Sequence, residues 1–291
     1  MISLPFKKKS STISIDIGSS LIKAIEIDHS EEIPKIKHFG INRLLPEAIV
    51  EDEIMDRNLV VETITECMEQ AGIDGKEVVT AVSGRGVIVK KIVMDKMSLD
   101  DAREAIYWEA EQHVPFDIDD VCLDFQILNE DIGANQMEVL LVAAKKDMVN
   151  DYSDIIRDAG LEPKVIDVDS FAVQNCYEAN MGMVEEEEGT VIGLVNIGSD
   201  VTNINIIQNM NPYFTRDINV GTNTFIEALQ KELGVTYEEA QMIIKGNLEN
   251  MDEERIKSIF AAKAADLSLG IERSISYLKA AGDSDKIDRV V

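Results

Sequence analysis

One nine-residue pattern occurs twice in the chain, and this repeat limits the folds that the chain can adopt. The first copy is Ile15–Lys23, near the N-terminus, and the second is Val195–Asn203, in the second half. Each copy combines an apolar strand, a carboxylate or amide, a Gly-Ser turn and a second apolar strand. Similar units one half-chain apart indicate duplicated subdomains, and a length of 291 residues is enough for about two domains.

The chemistry of each copy suits an anion. Its glycine permits a tight hairpin in which successive backbone N–H groups point at one anion. The polar residue before it, Asp16 or Asn196, is placed to approach a phosphate-bound cation. Two such hairpins facing each other predict a clamp on the β- and γ-phosphates of a nucleotide, and Lys23, the only cation in either copy, would offset their charge. For either copy alone, an ordinary hairpin turn is the alternative.

The charge balance excludes several function classes. The chain has 28 Lys and Arg against 55 Asp and Glu, a net charge of −27. Phosphate backbones and anionic lipids would repel such a chain, so we expect neither nucleic-acid nor direct membrane binding. No apolar run approaches the roughly 20 residues that cross a bilayer, and no secretory signal is evident, which predicts a cytoplasmic protein. The scattered Cys and His residues indicate neither disulfides nor a metal centre, and the three cysteines are expected to be buried thiols.

Hydrophobic periodicity, capping residues and turn residues predict the order of the elements. Strands are predicted at 12–17, 21–27, 35–42, 78–83, 87–94, 121–128, 137–144, 164–168, 190–197, 202–208, 213–220 and 287–291, the first three as a meander. Helices are predicted at 60–70, 98–113, 147–159, from about 170, from 222 onward and at 252–281. Residues 129–135 are expected to be a loop, and Thr236 with Glu239 is expected to form a capping box.

The two hairpins resemble the first and second phosphate motifs of the actin, Hsp70 and sugar-kinase superfamily. More specifically, Ile106–Phe116 followed by Val121–Phe125 is similar to the corresponding stretch of the PilM family. PilM proteins are actin-like, FtsA-related cytoplasmic proteins of type IV pilus assembly. The tail containing Phe6-Lys7 and the later Arg216–Gly221 are similar too, so the resemblance covers essentially the whole chain from about Pro5.

The resemblance implies an actin-like α/β fold of two lobes with ATP between them and an FtsA-type inserted α+β subdomain. The implied division is an N-terminal tail at 1–11, a first lobe at 12–86 and 166–184, the inserted subdomain at 87–165, and a second lobe at 185–291. The acidic run Glu185–Glu188 is expected to be a solvated loop. Because the chain ends on an opening strand, the second lobe is expected to be truncated before the family's Gly-rich adenosine loop.

Site residues carried over from the family fall into three groups. The implied first phosphate loop contains Asp16, Gly18, Ser19, Ser20 and Lys23, with Asp16 also reaching Mg²⁺ through water. The implied second loop contains Asn196, Gly198, Ser199, Asp200 and Thr202. Gly221, Thr222, Asn223 and Glu239 are expected near the ribose and adenine, and Asp169 is a candidate for positioning water. Relatives that hydrolyse ATP usually carry Asp at the position of Asn196, so we expect binding with slow or absent turnover.

A partner site is implied on the inserted subdomain. In the family, PilM recruits the cytoplasmic N-terminus of the membrane protein PilN into a groove there. Trp108, Val114, Pro115 and Phe116 are the candidates to line this groove, since Trp often anchors interfaces. The alternative is core packing, because Ala102, Ile106, Ala110 and Val114 have the i, i+4 spacing of a buried helix face.

These features together predict a cytoplasmic, ATP-binding adaptor of the pilus inner-membrane platform. It would recruit PilN in a nucleotide-dependent way, contact other platform proteins and approach the membrane only through partners, and it is a candidate homodimer. Three alternatives remain open at this point: a nucleotide-independent scaffold, a metabolic kinase of the same superfamily, and an FtsA-like cell-division protein.

Overall fold

The computed structural model of the chain describes residues 11–50, 53–181, 189–209, 211–248, 251–280 and 286–291. The N-terminal tail before Ser11 and the run Glu185–Glu188 lie outside them. The chain divides into two compact units: the first contains Met1–Ile88, Met97–Phe125 and Leu141–Ala172, and the second contains Val89–Lys96, Gln126–Leu140 and Val173–Val291. The four-part division that the sequence suggests stays a prediction.

The elements follow the predicted order closely. The strands are β1 Ser11–Ile17, β2 Leu21–Asp28, β3 Lys35–Arg43, β4 Ile49–Val50, β5 Glu53–Ile54, β6 Glu77–Val82, β7 Val87–Asp95, β8 Val121–Gly133, β9 Gln136–Lys145, β10 Glu162–Val168, β11 Val191–Ile197, β12 Thr202–Gln208, β13 Asn211–Ile218 and β14 Arg289–Val290. The helices are α1 Arg57–Ala71, α2 Leu99–His113, α3 Lys146–Asp158, α4 Asp169–Met181, α5 Thr222–Leu233, α6 Tyr237–Ile244 and α7 Glu253–Ala280, and a 3₁₀ turn spans Ile118–Asp120.

A five-stranded sheet with the order β10-β6-β1-β2-β3 organises the first unit. Strands β1, β2 and β3 form the predicted antiparallel meander, and β6 and β10 extend the sheet in parallel from β1. Alternate residues of β1 and β2 point inward, so that Ile15 and Ile22 are buried with Ile64 of α1 and Ile156 of α3. The core therefore holds the β1–β2 hairpin on a rigid sheet.

A four-stranded sheet with the order β13-β12-β11-β14 organises the second unit. It repeats the pattern of the first sheet, since β11, β12 and β13 are an antiparallel meander and β14 runs parallel to β11. One face carries Ile192 and Ile207 against Tyr177 of α4, and the other carries Ile204 against Ile271 of α7. The duplication inferred from the repeated hairpin extends to the whole meander.

A third sheet, with the order β7-β9-β8, corrects one prediction. The region 129–135 is not a loop, because β8 continues to Gly133 and β9 begins at Gln136. The reversal occupies Ala134 and Asn135, whose φ angles of 52° and 60° are those of a tight hairpin turn. Both strands extend up to the two-residue turn, although the polar composition of residues 129–135 indicated a loop.

The cysteines differ in exposure. Cys67 on α1 is buried, and burial raises the pKa of its thiol. Cys122 on β8 and Cys176 on α4 are exposed, so the expectation of three buried thiols was wrong for these two. Among the described residues, no helix is both long and apolar enough to span a membrane.

Candidate nucleotide hairpins and partner groove

Glycine closes the hairpin of the first unit between β1 and β2. The N–H of Gly18 donates to the carbonyl oxygen of Leu21 at 3.1 Å, and a Cβ added at Gly18 would lie 3.1 Å from the same oxygen. A side chain here would press against the backbone that completes the turn. Ser19 and Ser20 form the tip and are half-buried, and the Ser20 carbonyl accepts the N–H of Leu44 at 2.9 Å.

The second unit closes its hairpin in the same way. The N–H of Gly198 donates to the carbonyl oxygen of Val201 at 2.9 Å, and a Cβ added at Gly198 would lie only 2.7 Å from that oxygen. Ser199 and Asp200 occupy the tip and are half-buried. The repeat in sequence is therefore a repeat of one hydrogen-bonded turn, while its role in phosphate binding stays a prediction.

An ion pair spans the base of the first hairpin. Asp16 and Lys23 face each other across β1 and β2, and the Lys23 ammonium donates to Asp16 Oδ2 at 2.7 Å. Both side chains are about half exposed, at 51% and 44%. Exposed ion pairs contribute only about 0–1 kcal/mol, so breaking this pair costs little.

Two amides occupy the same place in the second hairpin. Asn196 faces Asn203 across β11 and β12, and Asn196 Nδ2 donates to Asn203 Oδ1 at 3.2 Å. Asn203 Nδ2 in turn donates to Asp217 Oδ1 on β13 at 2.9 Å. The structure thus assigns Asn203 and Asp217 to this site. Sequence reasoning missed both, although the repeat already aligned Asn203 with Lys23.

The beginning of α5 packs tightly onto the second hairpin. The N–H groups of Thr222 and Asn223 donate to the carbonyls of Gly198 and Ser199 at 3.0 and 2.8 Å. A Cβ added at Gly221 would lie 2.3 Å from the Ser199 oxygen, so only glycine fits there. These contacts bring together a set of the predicted nucleotide residues: Gly198, Ser199, Asp200, Gly221, Thr222 and Asn223.

The remaining predicted site residues have local structural roles. Thr202 is fully buried, and its hydroxyl donates to the Val220 carbonyl at 2.6 Å. The Glu239 carboxylate accepts the N–H of Thr236 at 2.8 Å, which confirms the capping box at the start of α6. Asp169 is the half-buried first residue of α4. Their roles in nucleotide binding or in positioning water stay predictions.

The donor set is compatible with magnesium bound through a nucleotide. Among the described residues, no group of three or more His, Cys, Asp or Glu side chains is arranged to hold a metal ion. Mg²⁺ in nucleotide sites usually keeps several waters and takes its other ligands from phosphates and one or two carboxylates. Asp16, an exposed carboxylate beside a glycine turn, supplies a ligand of that kind.

A groove in the first unit contains the predicted partner residues Trp108 and Phe116. Its volume is about 410 Å³, and its lining consists of Tyr107, Trp108, Glu111, Phe116, Asp117, Ile118 and Asp119. Trp108 is 71% exposed, which rules out the core packing considered for its side chain. Val114 is only 6% exposed, so its prediction as a lining residue was wrong: it closes the buried face of α2. Pro115 is exposed but does not line the groove.

Capping interactions set the ends of the two elements that line the groove. Ser98 caps α2 by accepting the N–H of Asp101, and the helix ends before the prolyl residue at 115. Asp117 caps the following 3₁₀ turn by accepting the N–H of Asp119 at 3.0 Å. The ammonium of Lys145 lies 4.7 Å from the centre of the Phe116 ring, a cation–π contact that holds this wall in place.

Both units have an antiparallel meander extended by a parallel strand, with a glycine hairpin between its first two strands. This duplicated α/β architecture places the protein in the actin-like class. Within that class, the family model described as type IV pilus assembly protein PilM matches residues 14–291, and the chain belongs to this family. It is accordingly an actin-like protein of type IV pilus assembly.

Solved structures agree with this assignment. The PilM-PilN type IV pilus biogenesis complex is similar with a TM-score of 0.80 and 27% identity, covering 92% of this chain and 77% of that one. The ethanolamine utilization protein EutJ from Carboxydothermus hydrogenoformans is similar in fold, with a TM-score of 0.57 and 14% identity over 100% of this chain and 78% of that one.

A curated relative has lower sequence identity. The cell division protein FtsA of Bacillus subtilis (strain 168) is 21% identical over 257 residues, which are 80% of this chain and 57% of FtsA. The chain therefore spans little more than half the length of this relative.

Proposed function

We propose that this protein is a nucleotide-binding adaptor of the type IV pilus assembly platform. It binds ATP with Mg²⁺ and recruits the cytoplasmic N-terminal tail of PilN at the inner face of the cell membrane. The observation that carries the nucleotide part is the recurrence of one glycine turn, with the same hydrogen bond from Gly18 and from Gly198, in the two units. The exposed Trp108 in a groove carries the partner part.

The residues of the hairpins suit different parts of the nucleotide complex. Lys23, now paired with Asp16, would hold a phosphate oxygen, and Asp16 would then accept hydrogen bonds from water bound to Mg²⁺. Gly198, Ser199 and Asp200 present a turn held against the start of α5. When bound, Mg²⁺ neutralises phosphate charge, which matters in a chain of net charge −27.

Slow or absent hydrolysis follows from the amide at Asn196. A carboxamide supplies neither a negative charge to hold Mg²⁺ nor a base to take a proton from water. Binding and release of the nucleotide, rather than rapid turnover, would then set the state of the adaptor. The protein is at most a weak ATPase in this proposal.

The nucleotide part is tested by calorimetric titration with Mg²⁺·ATP and, in parallel, with magnesium tripolyphosphate, which contains the phosphates alone. We expect saturable binding that Lys23→Met weakens by about tenfold or more, the value of a charge-assisted hydrogen bond. Lys35→Met is the matched control, because Lys35 also pairs with an exposed carboxylate, that of Glu31 at 2.6 Å, outside either hairpin. If the folded protein binds neither ligand, the nucleotide part of the proposal fails.

The partner part rests on the chemistry of the groove. Trp108, Tyr107 and Ile118 offer apolar surface to an inserted side chain, while Glu111 and Asp119 place carboxylates beside it. A peptide with an apolar anchor next to Lys or Arg complements this pattern. The similarity to the PilM-PilN complex supports the PilN tail as that peptide.

Fluorescence tests the partner part directly, because Trp108 is the only tryptophan of the chain. Titration with an N-terminal PilN peptide that lacks tryptophan should shift its emission to shorter wavelength as the ring leaves water. By calorimetry, Trp108→Ala should weaken binding by about thirtyfold, as for an interface hot spot. Met242→Ala, which truncates another exposed apolar side chain, is the control. Unchanged binding by folded Trp108→Ala would remove the anchor from the proposal.

A nucleotide-independent scaffold is the second candidate, and one observation favours it. The Asp16–Lys23 pair and the Asn196–Asn203 pair already form hydrogen bonds at the bases of both hairpins in the absence of nucleotide. The peptide titration repeated with and without saturating Mg²⁺·ATP separates the two functions. A changed peptide affinity supports the nucleotide-dependent adaptor, and an identical affinity supports the scaffold.

A further inference from the structure

We propose that Asp217, acting through Asn203, is a positioning residue that fixes the orientation of the Asn196 amide. The carbonyl oxygen of Asn196 is thereby directed away from Asn203, toward solvent, as an available ligand for Mg²⁺ or its water. This role rests on the proposed nucleotide function. The amide orientation itself is a property of the nucleotide-free protein and is tested separately.

The three side chains form one ladder across the meander of the second unit. Asn196 of β11 pairs with Asn203 of β12, which pairs with Asp217 of β13. Directly opposed residues of neighbouring strands share a face of the sheet, and their side chains approach one another. The hydrogen bonds of 3.2 and 2.9 Å follow from this register.

The carboxylate at one end gives the ladder a direction. An ionised Asp217 only accepts hydrogen bonds, so it takes the NH₂ group of Asn203 and not its oxygen. The Asn203 oxygen is then turned toward Asn196 and accepts its NH₂ group. The Asn196 oxygen is left on the opposite side of its amide, so the charge at Asp217 decides which Asn196 atom is available.

Burial makes this direction persistent. Asn203 is only 9% exposed, whereas Asn196 is exposed. Water therefore competes poorly for the central amide, and turning it over would bring its oxygen against the Asp217 carboxylate.

The first hairpin shows that the turn itself does not require such a ladder. The residue opposite Lys23 on β3 is Ile41, which is apolar and 48% exposed. The glycine turn of Gly18 nevertheless forms with the same hydrogen bond as that of Gly198. A polar residue on the third strand is thus a special feature of the hairpin that contains Asn196, which supports a role beyond folding.

The orientation has a chemical consequence for a magnesium nucleotide. Oxygen atoms, including amide carbonyls, are the ligands and hydrogen-bond acceptors that Mg²⁺ and its bound waters use, whereas an NH₂ group is repelled by the cation. A fixed carbonyl oxygen gives the second hairpin a neutral ligand at the position where Asp16 gives the first hairpin a charged one. Asp217 therefore leaves only the oxygen, and not the NH₂ group, of the Asn196 amide available to Mg²⁺ or its bound water.

The orientation is tested first without nucleotide, by NMR of the Asn196 side-chain amide in selectively labelled protein. The NH₂ proton that Asn196 donates to Asn203 should exchange more slowly than the other one in the native protein, and about tenfold faster in Asp217→Asn, since the new amide can also donate and no longer fixes the ladder. Asp266→Asn, the same change at an exposed ion pair with Lys263, is the control. Unchanged Asn196 exchange in Asp217→Asn would overturn the proposal.

The consequence for magnesium is tested by the ratio of ATP affinities measured with Mg²⁺ and with chelator. Asp217→Asn should reduce this ratio by about tenfold. Combining Asn196→Asp with Asp217→Asn moves the acid to the other end of the ladder and should restore the ratio. An unchanged ratio in Asp217→Asn would overturn the positioning role. If the native protein binds no ATP, the proposed function fails, but the result of the exchange experiment is unaffected.

Discussion

At the scale of single residues, the two hairpins differ mainly in what stands before the glycine. Asp16 supplies a charge that Lys23 balances, whereas Asn196 supplies a neutral oxygen whose direction a neighbouring strand sets. Identical backbone turns are in this way given different electrostatic properties. In the proposed function, this difference would separate nucleotide binding from nucleotide hydrolysis.

Substitution of Asn196 tests that separation. Asn196→Asp adds the missing carboxylate and should raise the rate of ATP hydrolysis, measured as released phosphate. The gain should be larger when Asp217→Asn is also present. In Asn196→Asp alone, Asn203 lies between two carboxylates, at positions 196 and 217, and its single NH₂ group cannot point fully toward both. A rate that stays at the native value in both variants would show that the amide is not what limits turnover.

Buried Glu26 leads to a prediction about pH. Hydrogen bonds from His38 at 2.8 Å and from Lys37 at 3.0 Å hold the pKa of its carboxyl at about 2, below its ordinary value of 4.5. A lowered pKa stabilises the fold above about pH 4.5, and this contribution disappears as the pH falls toward 2. Glu26→Gln should therefore cost about 1–3 kcal/mol of unfolding free energy at neutral pH.

Urea unfolding at a series of pH values measures this difference. The stability gap between the native protein and Glu26→Gln should begin to narrow below about pH 4.5, where Glu26 loses its charge in the unfolded chain, and should close near about pH 2, where Glu26 also loses its charge in the folded chain. Glu31→Gln is the control, since Glu31 pairs with Lys35 on an exposed surface. A stability gap between the native protein and Glu26→Gln that does not change with pH would contradict the assignment.

Residue-level prediction from sequence succeeded where local chemistry decides. The glycine at 198, with the Gly-Ser turn around it, predicted the hairpin that the structure shows. For Trp108 both an interface and core packing were open, although the helical spacing indicates exposure: Ile106 and Ala110 lie on the buried face, and a residue two positions from each points the opposite way. Asp217 was beyond local reasoning, because only strand register brings it beside Asn203.

At the scale of elements, close packing of α1 on the edge of the first sheet depends on glycine. A Cβ added at Gly40 of β3 would lie 2.9 Å from both the Ala71 Cβ and the Cys67 carbonyl oxygen. Helix and strand backbones therefore approach more closely here than a side chain allows. The alternating sequence of β3 predicted the strand but gave no sign of this contact, which involves residues distant in the chain.

Gly40→Ala tests the packing of this helix on this strand. The added methyl group should push α1 away from β3 and cost about 1–3 kcal/mol, measured by chemical denaturation. Gly193→Ala in β11 is the matched control, because a Cβ there meets its nearest atoms at 3.6–3.8 Å, which is ordinary contact. Equal stability changes in the two variants would show that the Gly40 contact is not tight.

Gly221→Ala tests the contact between α5 and the second hairpin. The methyl group would meet the Ser199 carbonyl, so the hairpin and the helix must separate. We expect a fall in stability at least as large as that of Gly40→Ala, together with loss of Mg²⁺·ATP binding at temperatures where the variant stays folded. Gly193→Ala again serves as the control, and retained binding by Gly221→Ala would argue against a nucleotide role for this contact.

At the scale of the whole molecule, the net charge of −27 opposes the compact state. Screening by salt should therefore stabilise the protein between about 0.01 and 1 M ionic strength, where the Debye length falls from about 30 to 3 Å. Each kcal/mol gained raises the Tm of a chain of this size by about 2–4 °C, which scanning calorimetry resolves. Sucrose at equal osmolality is the control, and a Tm that falls with sodium chloride would contradict the prediction.

The global architecture was partly predictable. Two copies of a hairpin indicated duplication, and both sheets show it in full. The compact units, however, combine segments that are far apart, such as Val89–Lys96 with Val173–Val291. Such grouping depends on long-range strand pairing, which periodicity and capping signals do not encode.

The exposure of the cysteines provides a practical consequence. Cys122 belongs to the first unit and Cys176 to the second, and both are exposed, whereas Cys67 is buried with a raised thiol pKa. Maleimide dyes should therefore attach at one position in each unit without mutagenesis. Resonance energy transfer between a donor and an acceptor at these thiols then gives a spectroscopic ruler, on the unmodified sequence, for any movement of the units when ATP or the PilN peptide binds.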